Sequence, residues 1–267
     1  MYFRGKNYWA VILGGSSGFG LASAQLLAEQ GMNLCLIHRD RRQRLAEVQN
    51  EFSALKKHGV EVLTFNQDAL KSENQLAILE VLKSKIDAAP GGVRLVLHAI
   101  AKGNLKRMAP IDDASEPLLQ PQDFQLTIQA MALSLYDWTK ALWEGKFFAP
   151  DARILGLTSA GNTKAWAYYA AVSAAKSTLE ALVRSMALEF APFGIRTNVI
   201  QAGITDTPSL RMIPGHEQLM EYAEEHNPFK RLTKPEDVAQ VVYLLTRDEA
   251  AWINGALIPV DGGEKLV

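Results

Sequence analysis

The stretch Tyr8-Trp-Ala-Val-Ile-Leu13 runs directly into Gly14-Gly15-Ser16-Ser17-Gly18-Phe19-Gly20, and residues 21–30 follow with apolar side chains at helical intervals. The first six residues read as a short apolar strand and the last ten as an amphipathic helix. The glycines between them permit a tight turn and let backbone N–H groups approach a pyrophosphate at a helix N-terminus. A glycine-rich turn alone is weak evidence, because a purely structural turn has the same composition. This one follows a strand, opens a helix and begins a β-α-β unit, the context a dinucleotide fingerprint requires. Gly14, Ser16, Ser17, Gly18, Phe19 and Gly20 are therefore candidate cofactor-binding residues.

Working outward, strand-like runs at 8–13, 33–38, 61–66, 93–100, 153–158, 196–201 and 256–260 alternate with helical patterns at 21–30, 41–58, 73–88, 124–143, 167–190 and 235–245. Such alternation predicts parallel strands covered by helices on both faces: an α/β doubly wound parallel sheet, a Rossmann fold in three α/β/α layers. Neither a linker nor a repeat divides residues 1–267, which read as one domain. The segment 203–231 carries Pro208, Pro214 and Pro228 and is the candidate substrate-covering loop. Its Met212, Ile213, Leu219, Met220 and Tyr222 offer apolar surface, either to a substrate or to the body of the domain.

The chain has 267 residues, a net charge of −1 and 48% hydrophobic residues. That balance gives no reason to expect nucleic acid or an anionic membrane as a partner. No apolar run is long enough to span a bilayer, and the first residues do not resemble a signal peptide. The single cysteine, Cys35, sits in an apolar run and suits a buried strand in a reducing compartment, so a cytoplasmic location is expected. The five histidines (38, 58, 98, 216, 226) are scattered, and no metal-ligand spacing appears.

The end of the second strand bears on the choice of nicotinamide cofactor. NAD sites place an acid there to grip the adenosine ribose. Here the segment is His38-Arg39-Asp40. His38 takes the expected place of the acid, and the guanidinium of Arg39 suits a ribose 2′-phosphate. NADPH is favoured over NADH, although a shift of one residue restores an acid in Asp40 and Arg39 is also compatible with a solvated surface charge. Asp68, followed by Ala69 after the third strand, is placed either to bond the adenine amino group or to cap a helix. Ala99 ends the fourth strand on the cofactor side.

In Tyr168-Tyr169-Ala-Ala-Val172-Ser-Ala-Ala-Lys176, Tyr169 and Lys176 stand seven residues apart in a stretch with Leu179, Leu182, Val183, Met186 and Phe190 at helical intervals. Seven residues make almost two turns, so the pair shares a helix face roughly 10 Å apart along the axis. Such a pair suits an acid and its electrostatic helper. The spacing alone is equally served by a packed tyrosine and a solvated lysine. Tyr168 competes for the role if the register differs, but only Tyr169 shares the Lys176 face.

Taken together these positions resemble the short-chain dehydrogenase/reductase family over essentially the whole chain. The resemblance rests on the order of Gly14-x3-Gly18-x-Gly20, Asp68, His98-Ala99-Ile100-Ala101, the Tyr–Lys helix, Asn198-x3-Ala202-Gly203-x3-Thr207 and Val260-Asp261-Gly262-Gly263. Most members have Tyr-x3-Lys, Asn-Asn-Ala-Gly and Pro-Gly, where this chain has Tyr169-x6-Lys176, His98-Ala-Ile-Ala101 and Ala202-Gly203. These departures are similar to the enoyl-acyl-carrier-protein reductases of fatty-acid synthesis. Ser159, at the place of a second tyrosine in many of those, resembles the NADPH-dependent branch often called type III. Gln129 stands where the family usually has an Asn that builds a water-linked proton relay.

The resemblance implies a catalytic Tyr169 and Lys176, with Thr207 and the Ile204 backbone at the nicotinamide end. It implies an enoyl thioester as substrate, on acyl carrier protein or coenzyme A, and a homotetramer or homodimer. The helix bearing Leu126, Ile128, Met131, Leu135, Trp138 and Leu142 would form the interface, a pattern that core packing explains equally. Three other readings share the residues. They are an oxidoreductase acting on a ketone, an alcohol or a dienoyl thioester, a tailoring reductase of secondary metabolism, and a non-catalytic NADPH-binding sensor.

Overall fold

The computed structural model describes residues 1–111 and 116–267. Seven parallel strands form one sheet in the order β3-β2-β1-β4-β5-β6-β7. They are β1 (Tyr8–Leu13), β2 (Asn33–His38), β3 (Val62–Asn66), β4 (Gly92–His98), β5 (Phe148–Ser159), β6 (Ile195–Ala202) and β7 (Leu257–Val260). Eight α-helices accompany them among the described residues: α1 (Gly18–Glu29), α2 (Leu45–Lys56), α3 (Ser72–Ile86), α4 (Pro121–Ile128), α5 (Ser134–Glu144), α6 (Ala170–Glu189), α7 (His216–His226) and α8 (Pro235–Thr246).

Successive residues of a strand point to opposite faces, and β1 shows how this divides the core. Trp9, Val11 and Leu13 join Ile78 and Leu82 of α3, Leu135 and Trp138 of α5, and Leu179 and Val183 of α6 in one apolar layer. Ala10 and Ile12 join Leu27 of α1, Val48 and Phe52 of α2, and Val238 and Val242 of α8 in the other. The three-layer expectation is met. Strand order reverses at β1, whose neighbours are β2 and β4, so a crevice opens beyond the carboxyl ends of β1 and β4.

Several boundaries differ from the sequence reading. The helix expected over 167–190 begins only at Ala170, with Tyr169 as the residue before its first turn. The helix expected over 124–143 is broken by a π turn at Gln129–Leu133 between α4 and α5. The span 41–58 divides into a 3-10 turn at Arg42–Arg44 and α2. The segment 203–231 is not irregular throughout, since it contains α7. Pro214, Gly215 and Pro228 bracket that helix and give the whole segment the composition of a loop. The apolar residues on 124–143 mostly face inward: Met131, Leu135, Trp138 and Leu142 are buried in the chain's own core, whereas Leu126 is 62% exposed. Core packing, not an interface, accounts for most of that pattern.

Candidate active site

The crevice is built first by backbone. Gly14 has φ 91, and a Cβ on it would lie 2.6 Å from the carbonyl oxygen of Ala99. A Cβ on Gly20 would lie 2.1 Å from the Gly14 carbonyl oxygen. Only glycine fits either position, so the β1–α1 turn lies flat against the end of β4. Gly18 faces Thr207, whose Cγ2 would be 3.4 Å from a Cβ there. The turn, Ala99 and Thr207 are thus brought together from three distant stretches of chain. The first turn of α1 has no acidic residue, and Ser17 precedes the helix without using its side chain as a cap. This leaves N–H groups and a hydroxyl available to an anion.

At the end of β2 the residues separate. His38 is buried, and its Nδ1 lies 2.8 Å from Asp40 Oδ2. Asp40 turns inward as well: Arg44 Nη1 donates to its Oδ1 at 2.8 Å, and Asn66 pins its backbone at 2.9 Å. Its side chain is only 6% exposed, against 65% for Arg39. Arg39 Nη1 lies 2.9 Å from Asp68 Oδ2. Asp68 Oδ1 accepts the Leu70 N–H at 3.1 Å, ahead of α3, whose own cap position is Lys71. The Ala69 carbonyl accepts the Trp138 Nε1–H at 2.9 Å and so ties this corner to the core.

Tyr169 is buried against an apolar group comprising Ala130, Met131, Val172 and Ala175, with Leu105, Trp166 and Ile213 packed on it. Its ring meets Trp166 edge-on at 5.4 Å. A Cβ on Gly161 would lie 2.4 Å from the Tyr169 ring, so this close approach requires a glycine. The Tyr169 hydroxyl lies 3.2 Å from Ser159 Oγ. Burial raises the tyrosine pKa, and the Ser159 hydrogen bond opposes that rise. Tyr168 goes the other way. With φ 67 it turns outward to Glu116 at 3.1 Å, with the Arg107 guanidinium over its ring at 4.4 Å.

Lys176 is buried and donates to the Leu157 carbonyl at 2.7 Å. Burial lowers its pKa to about 8, opposed by the charge of Glu180. Glu180 in turn accepts from Thr158 and Asn162, both at 2.6 Å. His98 pairs across the sheet with Gly156, the residue before Leu157, which sets it close to Lys176. Burial and the Lys176 charge push the His98 pKa down to about 3. Its Nε2 lies 2.7 Å from Ser134 Oγ. Gln129 turns away from this group and donates to Asp137 at 3.0 Å.

The backbone of Ile204 has partners inside the chain: its N–H donates to Glu264 Oε2 at 2.9 Å, and its carbonyl accepts the Thr233 N–H at 3.1 Å and keeps a second lone pair. Among the described residues, the neighbouring Thr205 backbone has no such partner. Of Met212, Ile213, Leu219, Met220 and Tyr222, Ile213 packs beside Tyr169, whereas Met212 and Tyr222 are exposed.

The chain has relatives among known proteins. A family model described as "Enoyl-(Acyl carrier protein) reductase" matches residues 14–265. The cis-4-hydroxycyclohexanecarboxylate dehydrogenase of Sinomonas cyclohexanicum is 29% identical over 97% of this chain and 96% of its own length. An NADH enoyl-acyl-carrier-protein reductase of Bacillus cereus is 29% identical over 78% of each chain. The crystal structure of the Bacillus cereus enoyl-acyl carrier protein reductase with NADP+ and indole naphthyridinone superposes with a TM-score of 0.85 and 26% identity, covering 100% of this chain and 98% of that one. The chain is therefore an oxidoreductase of the short-chain dehydrogenase/reductase family, matched by that family's model described as enoyl-acyl-carrier-protein reductase.

Proposed function

We propose that the protein reduces the 2,3 double bond of an enoyl thioester with NADPH, on acyl carrier protein or coenzyme A. The observation that carries this reading is the pairing of Tyr169 with Ser159 at 3.2 Å while Val172, one turn further on, is buried in the apolar group beside it. In ketone reduction an acid must meet the oxygen one bond from the carbon that is reduced. In an enoyl thioester the charge develops on the thioester oxygen, three bonds from the β-carbon. Stabilisation acts only where charge develops. A hydroxyl displaced by about one turn, roughly 5 Å, follows that oxygen, and Val172 has no donor to offer at the older position.

The bound dihydronicotinamide supplies the hydride to the β-carbon. Tyr169 donates a hydrogen bond to the enolate oxygen, and Ser159 orients its hydroxyl. Lys176 holds the nicotinamide ribose hydroxyls, and its positive charge favours the donor role of Tyr169. The α-carbon takes its proton from solvent or from Tyr169. Thr207 holds the nicotinamide end, together with the backbone of Ile204. The glycine turn fits the pyrophosphate, because its backbone approach excludes any Cβ. NADPH is favoured over NADH because Asp40 is turned inward and Arg39 is exposed at the adenosine end.

The exposed Leu126, Trp143, Leu188 and Phe193 on and beside α4, α5 and α6 provide the surface for a homotetramer or homodimer. The likeness to a cis-4-hydroxycyclohexanecarboxylate dehydrogenase favours, as a second reading, an oxidoreductase of alcohols and ketones. Crotonyl and acetoacetyl thioesters separate the two. NADPH consumption with crotonyl thioester supports the enoyl reading, and consumption with acetoacetyl thioester alone defeats it.

A further inference from the structure

Three consecutive residues at the carboxyl end of β5 each hold one residue of α6 or of the turn before it. The Leu157 carbonyl accepts from Lys176 at 2.7 Å, the Thr158 hydroxyl donates to Glu180 Oε1 at 2.6 Å, and Ser159 Oγ lies 3.2 Å from the Tyr169 hydroxyl. We propose that Glu180 is a positioning residue for the reaction: it clamps the end of β5 and the turn after it onto α6, and it sets a carboxylate one helical turn from the Lys176 ammonium as its counter-charge. The inference rests on the roles given to Tyr169 and Lys176 above.

The clamp has two arms. Thr158 is buried, and its side chain faces α6 because that of the preceding Leu157 packs in the opposite layer. Asn162, at the end of the 3-10 turn Ala160–Asn162, donates from Nδ2 to the same Glu180 oxygen at 2.6 Å. Asn162 Oδ1 is buried without a hydrogen-bond partner among the described residues, so the contact with Glu180 is what fixes the amide. Gly161 sits in that turn, and a Cβ on it would meet the Tyr169 ring at 2.4 Å. The turn that Glu180 anchors is thus the surface against which the Tyr169 ring rests.

The second effect is electrostatic. Glu180 follows Lys176 by four residues, so the two share one face of α6. Burial disfavours the Lys176 ammonium, and the charge of Glu180 opposes that. The other ionisable groups on the elements around the lysine do not take its place. His98 of β4, with its pKa pushed to about 3, is neutral, and burial raises the pKa of Tyr169 and so keeps it a neutral phenol. The π turn Gln129–Leu133 carries no ionisable side chain, and Asp123 of α4 is taken by Lys106 at 2.9 Å. Arg196 of β6 donates to Asp151 at the amino end of the sheet, and Arg184, one turn beyond Glu180, is exposed.

The test compares Glu180→Gln, Glu180→Ala and Thr158→Val across pH. Turnover is followed on whichever of crotonyl and acetoacetyl thioester the unaltered protein reduces, and NADPH affinity is titrated in parallel without substrate. Glu180→Gln keeps a carbonyl oxygen for Thr158 and Asn162 but removes the charge. The Lys176 ammonium should then be lost at lower pH, which moves the alkaline limb of turnover and of NADPH affinity to lower pH. Glu180→Ala removes charge and clamp together, so it should move the limb the same way and also slow turnover roughly 10-fold or more at every pH. Thr158→Val removes one arm alone and should slow turnover roughly 2–10-fold without moving the limb. A limb that Glu180→Gln leaves at its original pH, in turnover and in NADPH affinity alike, overturns the inference while the proposed reaction stands. Failure of the unaltered protein to reduce crotonyl thioester overturns the enoyl reading instead, and the NADPH titration still decides the case of Glu180.

Discussion

The two ends of the sheet both bury cations, and they treat them in opposite ways. At the amino ends of the strands, Arg94 and Arg153 are fully buried. Arg94 donates to Asp151 at 2.6 Å, to Asp248 at 2.8 Å and to the Thr246 carbonyl at 2.8 and 3.0 Å. Arg153 donates to the Leu245 carbonyl and to Asp151, both at 3.0 Å, and Arg196 also donates to Asp151. The carbonyls belong to the last turn of α8, where a helix end favours positive charge. At the carboxyl ends, Lys176 has the Leu157 carbonyl at 2.7 Å as its hydrogen-bond acceptor and Glu180 as its nearest favourable charge. Its pKa falls to about 8, and that of nearby His98 falls to about 3. A cation whose desolvation is offset holds the fold together. One whose desolvation is left partly unpaid is poised for chemistry.

The contrast breaks first at the base. Arg153→Met removes one partner of a buried ionic group and should lower unfolding free energy by about 3–5 kcal/mol. Denaturant titration measures it, and activity per folded molecule should be unchanged. At the other end, Tyr169→Phe should cut turnover by about 10²–10³, with NADPH affinity and unfolding midpoint little altered. Unchanged turnover would remove Tyr169 from the reaction.

The lysine sharpens the comparison through pH. Its pKa is lowered, so the ammonium is intact below about pH 8 and is lost as pH rises through that value. Turnover that depends on the charge should fall in that window. Lys176→Arg should move the falling limb to higher pH, because arginine stays charged. The smallest expected effect is that of Ser159→Ala, which removes one neutral hydrogen bond, worth about 0.5–1.5 kcal/mol, and should slow turnover roughly 2–10-fold.

What the sequence made legible follows the same division. The β1–α1 unit announced itself because glycines at 14, 18 and 20 have no substitute in that turn, and apolar periodicity marked all seven strands. Tyr169 and Lys176 were legible as a pair from their spacing and Ser159 from the family resemblance, and the structure sets Ser159 Oγ 3.2 Å from the Tyr169 hydroxyl. The base cluster was not found: Arg94 and Arg153 sit inside apolar strands, and the Asp248 that pairs with Arg94 lies 154 residues away. The π turn at Gln129–Leu133 interrupts a helix without proline or glycine, so nothing in the composition signals it. The inward turn of Asp40 and the hold of Glu264 on Ile204 depend on side-chain directions that no pattern of residue types records.

The central claim is that reduction occurs at an alkene carbon under a tyrosine placed for the thioester oxygen. NADPH deuterated at the transferred position of its nicotinamide ring, incubated with crotonyl thioester and analysed by NMR of the product, tests it most directly. The account predicts deuterium at the β-carbon and a solvent-derived hydrogen at the α-carbon. Crotonyl thioester left unreduced, while acetoacetyl thioester acquires deuterium at its keto carbon, would contradict it.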